Sequence, residues 1–311
     1  MGKLKEAILL YFKGLGMGGA DVVPGVSGGT IALITGIYEE LLSSIKAIDL
    51  EAFRLLIKFQ WKASWEKING NFLVVLLAGI ATSVLSLSKV ITFLLKNHPI
   101  PVWSFFFGLI IISAILVLRN IVKWRAVTAV ALALGILVAF LITEATPAST
   151  PEGAWFIFLS GAIAICAMIL PGISGSFILL IMGKYEYIFN ALNERNWLVI
   201  FTFIVGCITG LLSFARVISW LFKKYHDHTI ALLSGFMIGS LNKVWPWKVP
   251  VEYRINSHGE QVAYITDNVM PGEYYDQLSE NPMVFQAVLF VALGIFIVVS
   301  IEKVAKLRSA R

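Results

Sequence analysis

Apolar residues fall along this chain in long blocks, not in the alternation of half-buried strands or the narrow stripes of surface helices. Five blocks, roughly 72–95, 101–118, 126–143, 197–222 and 284–301, come close to or exceed the ~20 residues a membrane-spanning helix needs. A weaker sixth covers 229–245. Two further stretches, 6–45 and 154–192, are apolar but interrupted midway by Pro and Gly. The pattern predicts an all-α polytopic membrane protein with one membrane domain over 1–311. The start, MGKLKEAILLYFKG, lacks a long apolar stretch ahead of a small-residue cleavage site, so no cleaved signal is expected.

Composition agrees. The chain is 58 % hydrophobic and 14 % charged, where a soluble domain is about half apolar and a quarter charged. Its net charge of +6 does not point to nucleic acid, because the basic residues cluster where cytoplasmic loops would carry them. They lie in 46–71 (Lys46, Arg54, Lys58, Lys62, Lys67), 119–125, 223–228 and the C-terminal tail. Segment 144–153 has two acids and no base, and the polar loop 246–282 is mostly acidic. All basic segments share one face only if 6–45 and 154–192 each enter and leave the membrane on the same side. Both are therefore expected to be re-entrant hairpins, with N- and C-termini in the cytoplasm and the protein in the cytoplasmic membrane.

Self-similarity is the strongest signal. Residues 24–39 read PGVSGGTIALITGIYE and residues 171–186 read PGISGSFILLIMGKYE. Pro24, Gly25, Ser27, Gly28, Gly36, Tyr38 and Glu39 recur as Pro171, Gly172, Ser174, Gly175, Gly183, Tyr185 and Glu186, which chance explains poorly. Further on, Gly79, Ser86, Lys89, Val90, Leu94 and Gly108 align with Gly206, Ser213, Arg216, Val217, Leu221 and Gly235. The expected organisation is a first repeat over 6–143 with a cytoplasmic amphipathic insert at 46–71. A second repeat covers 154–304 with an extracytoplasmic loop at 246–282. An odd number of crossings separates the hairpins, so the repeats are inverted, the arrangement of alternating-access transporters with a site near the midplane.

The breaks carry the candidate chemistry. Pro24, Gly25, Pro171 and Gly172 cannot continue a helix. Irregular backbone at membrane depth persists only against protein or a water-filled cavity. Beyond each break, Ser27, Gly28 and Gly29, and Ser174, Gly175 and Ser176, open a half-helix whose N–H groups and dipole suit a phosphate or carboxylate. The plainer alternative is a packing kink. Lys89 and Arg216, matched cations inside apolar helices, are candidates to grip the same anion, with snorkelling or pairing to an acid as the alternative. Asp21, Glu39 and Glu186 are candidates for gating or for coupling to a proton or sodium, and the glutamates for interfacial anchoring. Cys166 and Cys207 lack metal or disulfide spacing, and His98, His226, His228 and His258 are not spaced as ligands. No metal or cofactor is expected, and nothing sets an oligomeric state.

Ala20-Asp21-Val22-Val23-Pro24-Gly25-Val26-Ser27-Gly28-Gly29-Thr30, with Gly36-Ile37-Tyr38-Glu39, resembles the signature of the polyprenyl-phosphate translocase family of bacterial and archaeal membranes. The second Pro171-Gly172-Ile173-Ser174-Gly175 and the length extend the resemblance over nearly the whole chain. It implies return of undecaprenyl phosphate, the lipid carrier of cell-wall precursors, from the outer to the inner leaflet. A small anionic head and a long apolar tail fit a polar midplane pocket with a lateral opening to lipid. The enzyme alternative is a polyprenyl-pyrophosphate phosphatase, in which an arginine follows the serine and a helix carries paired glutamates four apart. Here Gly28 and Gly175 stand in place of that arginine and the glutamate pair is missing, so no enzyme is expected. A secondary transporter of a small anion or solute remains the other alternative.

Overall fold

The computed structural model describes residues 2–23, 25–148, 150–255 and 261–309; Pro24, His258 and Arg311 lie outside them. Helix α1 (Gly2–Val22) breaks before the short α2 (Gly28–Ile34) and α3 (Tyr38–Lys46). Two small helices, α4 (Leu50–Ile57) and α5 (Trp61–Lys67), lead to α6 (Gly70–Asn97), α7 (Pro99–Leu118) and α8 (Ala126–Glu144). The same order then recurs as α9 (Ala154–Ile169), α10 (Gly175–Ile181), α11 (Tyr185–Asn193) and α12 (Trp197–Gly239). Helix α12 leaves helical geometry at Tyr225 (φ −135°, ψ 47°), so the blocks read as 197–222 and 229–245 are two helices that meet at this kink. After a 3-10 turn at Ser240–Asn242 come strands β1 (Lys248–Ile255) and β2 (Gln261–Asn268), then α13 (Pro271–Leu278) and α14 (Val284–Ser309).

Among the described residues, five helices are long and apolar enough to cross a membrane: those starting at Gly70, Pro99, Ala126, Trp197 and Val284. Their outer faces leave Leu85, Val127, Phe201 and Phe285 between 62 and 81 % exposed. Apolar surface this extensive belongs against lipid. The insert between α3 and α6 is polar at its core of contacts: Asp49 caps α4 by accepting from Ala52 N at 2.8 Å, and Lys67 pairs with Asp49 and Glu51. One element departs from expectation. The acidic stretch read as a loop contains an antiparallel hairpin, registered from Lys248 opposite Asn268 to Ile255 opposite Gln261. Trp247 ties it to the start of α14 through Nε1 donating to the Pro282 carbonyl at 2.8 Å.

Glycines set how the long helices touch. Gly14 meets the backbone of Leu76 and Gly79, and Gly18 meets Ile80 and Ser83, so α1 and α6 run parallel with backbones in contact. Likewise Gly161 meets Phe203 and Cys207 while Gly210 meets Ala162, so α9 and the first half of α12 are also parallel. A Cβ at any of these would collide with a carbonyl or a neighbouring Cα, which is why small residues occupy them. Because α1 and α6 start at the same end of the bundle, the segment between them must bring the chain back to that end. The same holds for α9 and α12. The third helices repeat the device: Gly135 of α8 packs on Leu232, and Gly294 of α14 packs on Phe105.

Candidate functional site

Both hairpin breaks are built from a glycine in the left-handed region, Gly25 at φ +87° and Gly172 at φ +85°, a conformation that costs a side-chain-bearing residue ~1–2 kcal/mol. At the first break Ser27 caps α2, its Oγ accepting from Gly29 N at 3.0 Å. The Asp21 carboxylate accepts from Gly28 N at 2.7 Å. The N–H groups that sequence reasoning assigned to an anion are thus held here by the chain's own oxygens. At the second break Ser174 Oγ shares a 2.8 Å hydrogen bond with Ser176 Oγ, and no side chain caps α10.

The two breaks meet. Ser27 Oγ donates to the Met168 carbonyl at 3.0 Å, and Gly172 N donates to Thr30 Oγ1 at 3.0 Å. Ser27 and Thr30 are both fully buried. Gly29 lies so close to the Ile169 carbonyl that a Cβ there would overlap it. Each tip also rests on the end of α12 or the turn after it: Gly172 against Phe236, Met237 and Ser240, and Gly25 against the stem of Lys243, where a Cβ would stand 2.6 Å from Cγ.

The remaining predicted residues lie apart from this junction. Lys89 is exposed on α6, and no hydrogen bond or ion pair to it is seen among the described residues. Arg216 is exposed on α12, its guanidinium donating to the Leu212 carbonyl of its own helix at 3.1 Å. Glu39 is exposed at the start of α3, 3.7 Å from His226 beside the α12 kink. Glu186 is exposed at the equivalent place on α11. Pro171 is buried at the second break; Pro24 is outside the described residues.

Two cations near the junction were not foreseen. A cavity of about 560 Å³ opens between the end of α8, α10, the turn after α12 and β2, and its lining includes Glu144, Phe177, Asn242, Lys243, Lys248 and Asp267. Lys243 Nζ lies 4.2 Å from the centre of the Phe177 ring. Lys248 Nζ donates to the Lys243 carbonyl at 2.8 Å and to Asn268 Oδ1 at 3.4 Å, and sits 5.4 Å from the Trp103 ring centre. Burial, then repulsion from Lys243, pull the Lys248 ammonium down to about 7, with Glu144 opposing. Burial lowers Lys243 too, again against Glu144. The only sequence signal was the pair of lysines in Lys243-Val-Trp-Pro-Trp-Lys248, which reads as an interfacial anchor. A second cavity, about 720 Å³, lies between the starts of α1 and α6 and includes Lys13 and Glu40 in its lining.

Membrane-crossing helices around two broken hairpins, locked tip to tip beside a cation-bearing cavity, define a polytopic membrane protein of the transporter class. The VCA0040-like family model, described as undecaprenyl phosphate translocase-like, matches residues 17–262, which include both breaks and the two lysines. A polyprenyl-phosphate transporter of Vibrio cholerae serotype O1 is 44 % identical over 310 residues, 98 % of this chain and 99 % of its own. A polyprenyl-phosphate transporter of Staphylococcus aureus is 32 % identical over 253 residues, 75 % of this chain and 84 % of its own. No solved structure matches. This chain belongs to the undecaprenyl phosphate translocase-like family.

Proposed function

We propose that this protein carries polyprenyl monophosphate across the cytoplasmic membrane, returning undecaprenyl phosphate from the outer to the inner leaflet for reuse. The observation that carries the reading is the junction itself: two broken hairpins joined by Ser27–Met168 and Thr30–Gly172 hydrogen bonds, with Gly25 of the first break packed on Lys243 of a polar cavity. The two relatives, both polyprenyl-phosphate transporters, supply the substrate class.

In this mechanism the chain is two inverted repeats. Parallel packing of α1 on α6 and of α9 on α12 supports hairpins that return to their starting face. The recurrence of the Gly14–Leu76 contact as Gly161–Phe203, and of Gly135–Leu232 as Gly294–Phe105, supports the pairing of all three helices. With the basic segments inside, the Lys243–Lys248 cavity faces the cell exterior and the Lys13–Glu40 cavity the cytoplasm. Exchange between them requires the tip-to-tip bonds to part, so the Ser27 tip acts as a gate and the uncapped Ser174-Gly175-Ser176 tip faces the substrate. Asp21 is the acid placed to couple an ion. A proton or sodium on its carboxylate would release Gly28 N and loosen the first break.

The test is binding of purified protein to undecaprenyl monophosphate, against the pyrophosphate and uncharged undecaprenol, by native mass spectrometry. Selective retention of the monophosphate is expected. Indifference to all three lipids, with stabilisation by small anions instead, would move the reading to a solute transporter.

A further inference from the structure

We propose that Lys243 and Lys248 form the seat for a phosphate monoester group at the exterior-facing cavity, where the headgroup is held before it passes the hairpin junction. This rests on the transport reading above and adds its binding residues.

The two ammonium groups are an unusual pair. Both line the same cavity, Lys243 is near enough to disfavour the charge of Lys248, both are half-buried, and no carboxylate comes within ion-pair distance of either among the described residues. Lys243 has no hydrogen bond at Nζ among the described residues and lies over the Phe177 ring. Lys248 Nζ is held by the Lys243 carbonyl, and both side chains line the same cavity. Two half-buried like charges lining one partly apolar cavity are costly without an anion to share them. A phosphate supplies that anion, with oxygens enough for both ammonium groups. The acids of the cavity, Glu144 and Asp267, are exposed at its rim, and Glu144 is already engaged by Asn242 Nδ2 at 2.6 Å. Phe177 and Leu180 continue the wall as apolar surface, suited to the first units of an attached hydrocarbon chain.

The seat is also mechanically connected to the first hairpin. Gly25 packs directly on the Lys243 stem, and Phe177 belongs to the half-helix beyond the second break. Repositioning of Lys243 around an anion therefore acts on both breaks at once.

The test measures affinity of undecaprenyl monophosphate for the intact detergent-purified protein, its K243Q, K248Q, K89Q and R216Q variants and the K243Q/K248Q double, with undecaprenol and inorganic phosphate as separate probes. Each Lys243 or Lys248 substitution is expected to weaken the lipid about tenfold or more, the scale of a charge-assisted hydrogen bond. Undecaprenol should be indifferent to both. Wild-type affinity in the double variant, or loss confined to K89Q and R216Q, overturns the seat while leaving the transport reading intact. Stabilisation by inorganic phosphate but not by the lipid would make this a free-phosphate site and overturn its part in lipid carriage. Failure of the wild type to bind either probe overturns both. Thr146→Glu guards against misfolded lysine variants: it places an anion on the exposed cavity wall without touching either lysine. It should also weaken the lipid, and unchanged affinity there counts against the seat.

Discussion

The hydrogen bond from Gly172 N to Thr30 Oγ1 is the cleanest place to perturb the junction. Thr30→Val keeps the shape and β-branching of the side chain and deletes the acceptor 3.0 Å from the amide. Thr30 is fully buried, so bulk water does not reach the freed amide. An unsatisfied buried N–H costs about 1–3 kcal/mol in soluble proteins, whereas hydrogen bonds between membrane helices average ~0.6 kcal/mol and reach ~1.7. A loss of about 1–1.5 kcal/mol follows for the locked arrangement, roughly a tenfold rise in the parted population. The assay is denaturant unfolding in detergent for wild type, T30V and T30S, with transport measured on the same preparations. T30S keeps the hydroxyl but loses one buried methyl, worth about 0.8 kcal/mol, so it should be less damaged than T30V and keep the wild-type transport rate. T30V should lose the predicted stability and change its transport rate. Equal stability of T30V and wild type, or equal damage from T30S, would refute the role of this bond.

Other substitutions probe the packing and the cavity. Gly206→Ala drives a methyl into the Phe158 backbone and should cost ~1–3 kcal/mol of unfolding stability; a neutral result would mean that α9 and α12 are not in backbone contact. Asn242→Ala removes the Nδ2 donor to Thr143 and Glu144 and the Oδ1 acceptor for Asn268 Nδ2 on β2, so limited proteolysis should cut 248–268 faster than in wild type. Lys248 titrates in the fold at about 7 against an ordinary 10.5, so between these values the unfolded chain binds more protons and stability rises with pH. A K248M variant should lack that rise. Phosphate binding runs the other way, weakening in wild type as pH climbs above 7, and a pH-independent affinity would contradict a charged Lys248 in the seat.

Much of the architecture was legible because lipid imposes a length and a polarity on whatever crosses it. The blocks at 72–95, 101–118, 126–143 and 284–301 reappear as α6, α7, α8 and the span of α14. Pro-Gly-x-Ser-Gly marked both breaks, since few other sequences leave a helix so abruptly. The β-hairpin is hard to read because the alternation of Val249, Val251, Tyr253 and Ile255 is short and lies in a stretch, 246–282, whose acids mark it as a polar loop. Lys89 and Arg216 drew attention through their matched positions, yet equivalent positions on equivalent helices share an environment, and here both are exposed. Lys243 escaped notice for the converse reason. Leu116 stands at its place in the first repeat, and only the fold brings it beneath Gly25 and beside Phe177.

The most direct test of the transport claim is leaflet exchange in proteoliposomes. Undecaprenyl monophosphate is distributed over both leaflets, and a membrane-impermeant phosphatase added outside reports which headgroups it reaches. The mechanism predicts that vesicles with wild-type protein surrender nearly all their phosphate, while protein-free vesicles and vesicles with the K243Q/K248Q variant stop at the outer-leaflet share. The same plateau with wild-type protein as without it, in vesicles where the protein binds the lipid, would contradict transport by this chain.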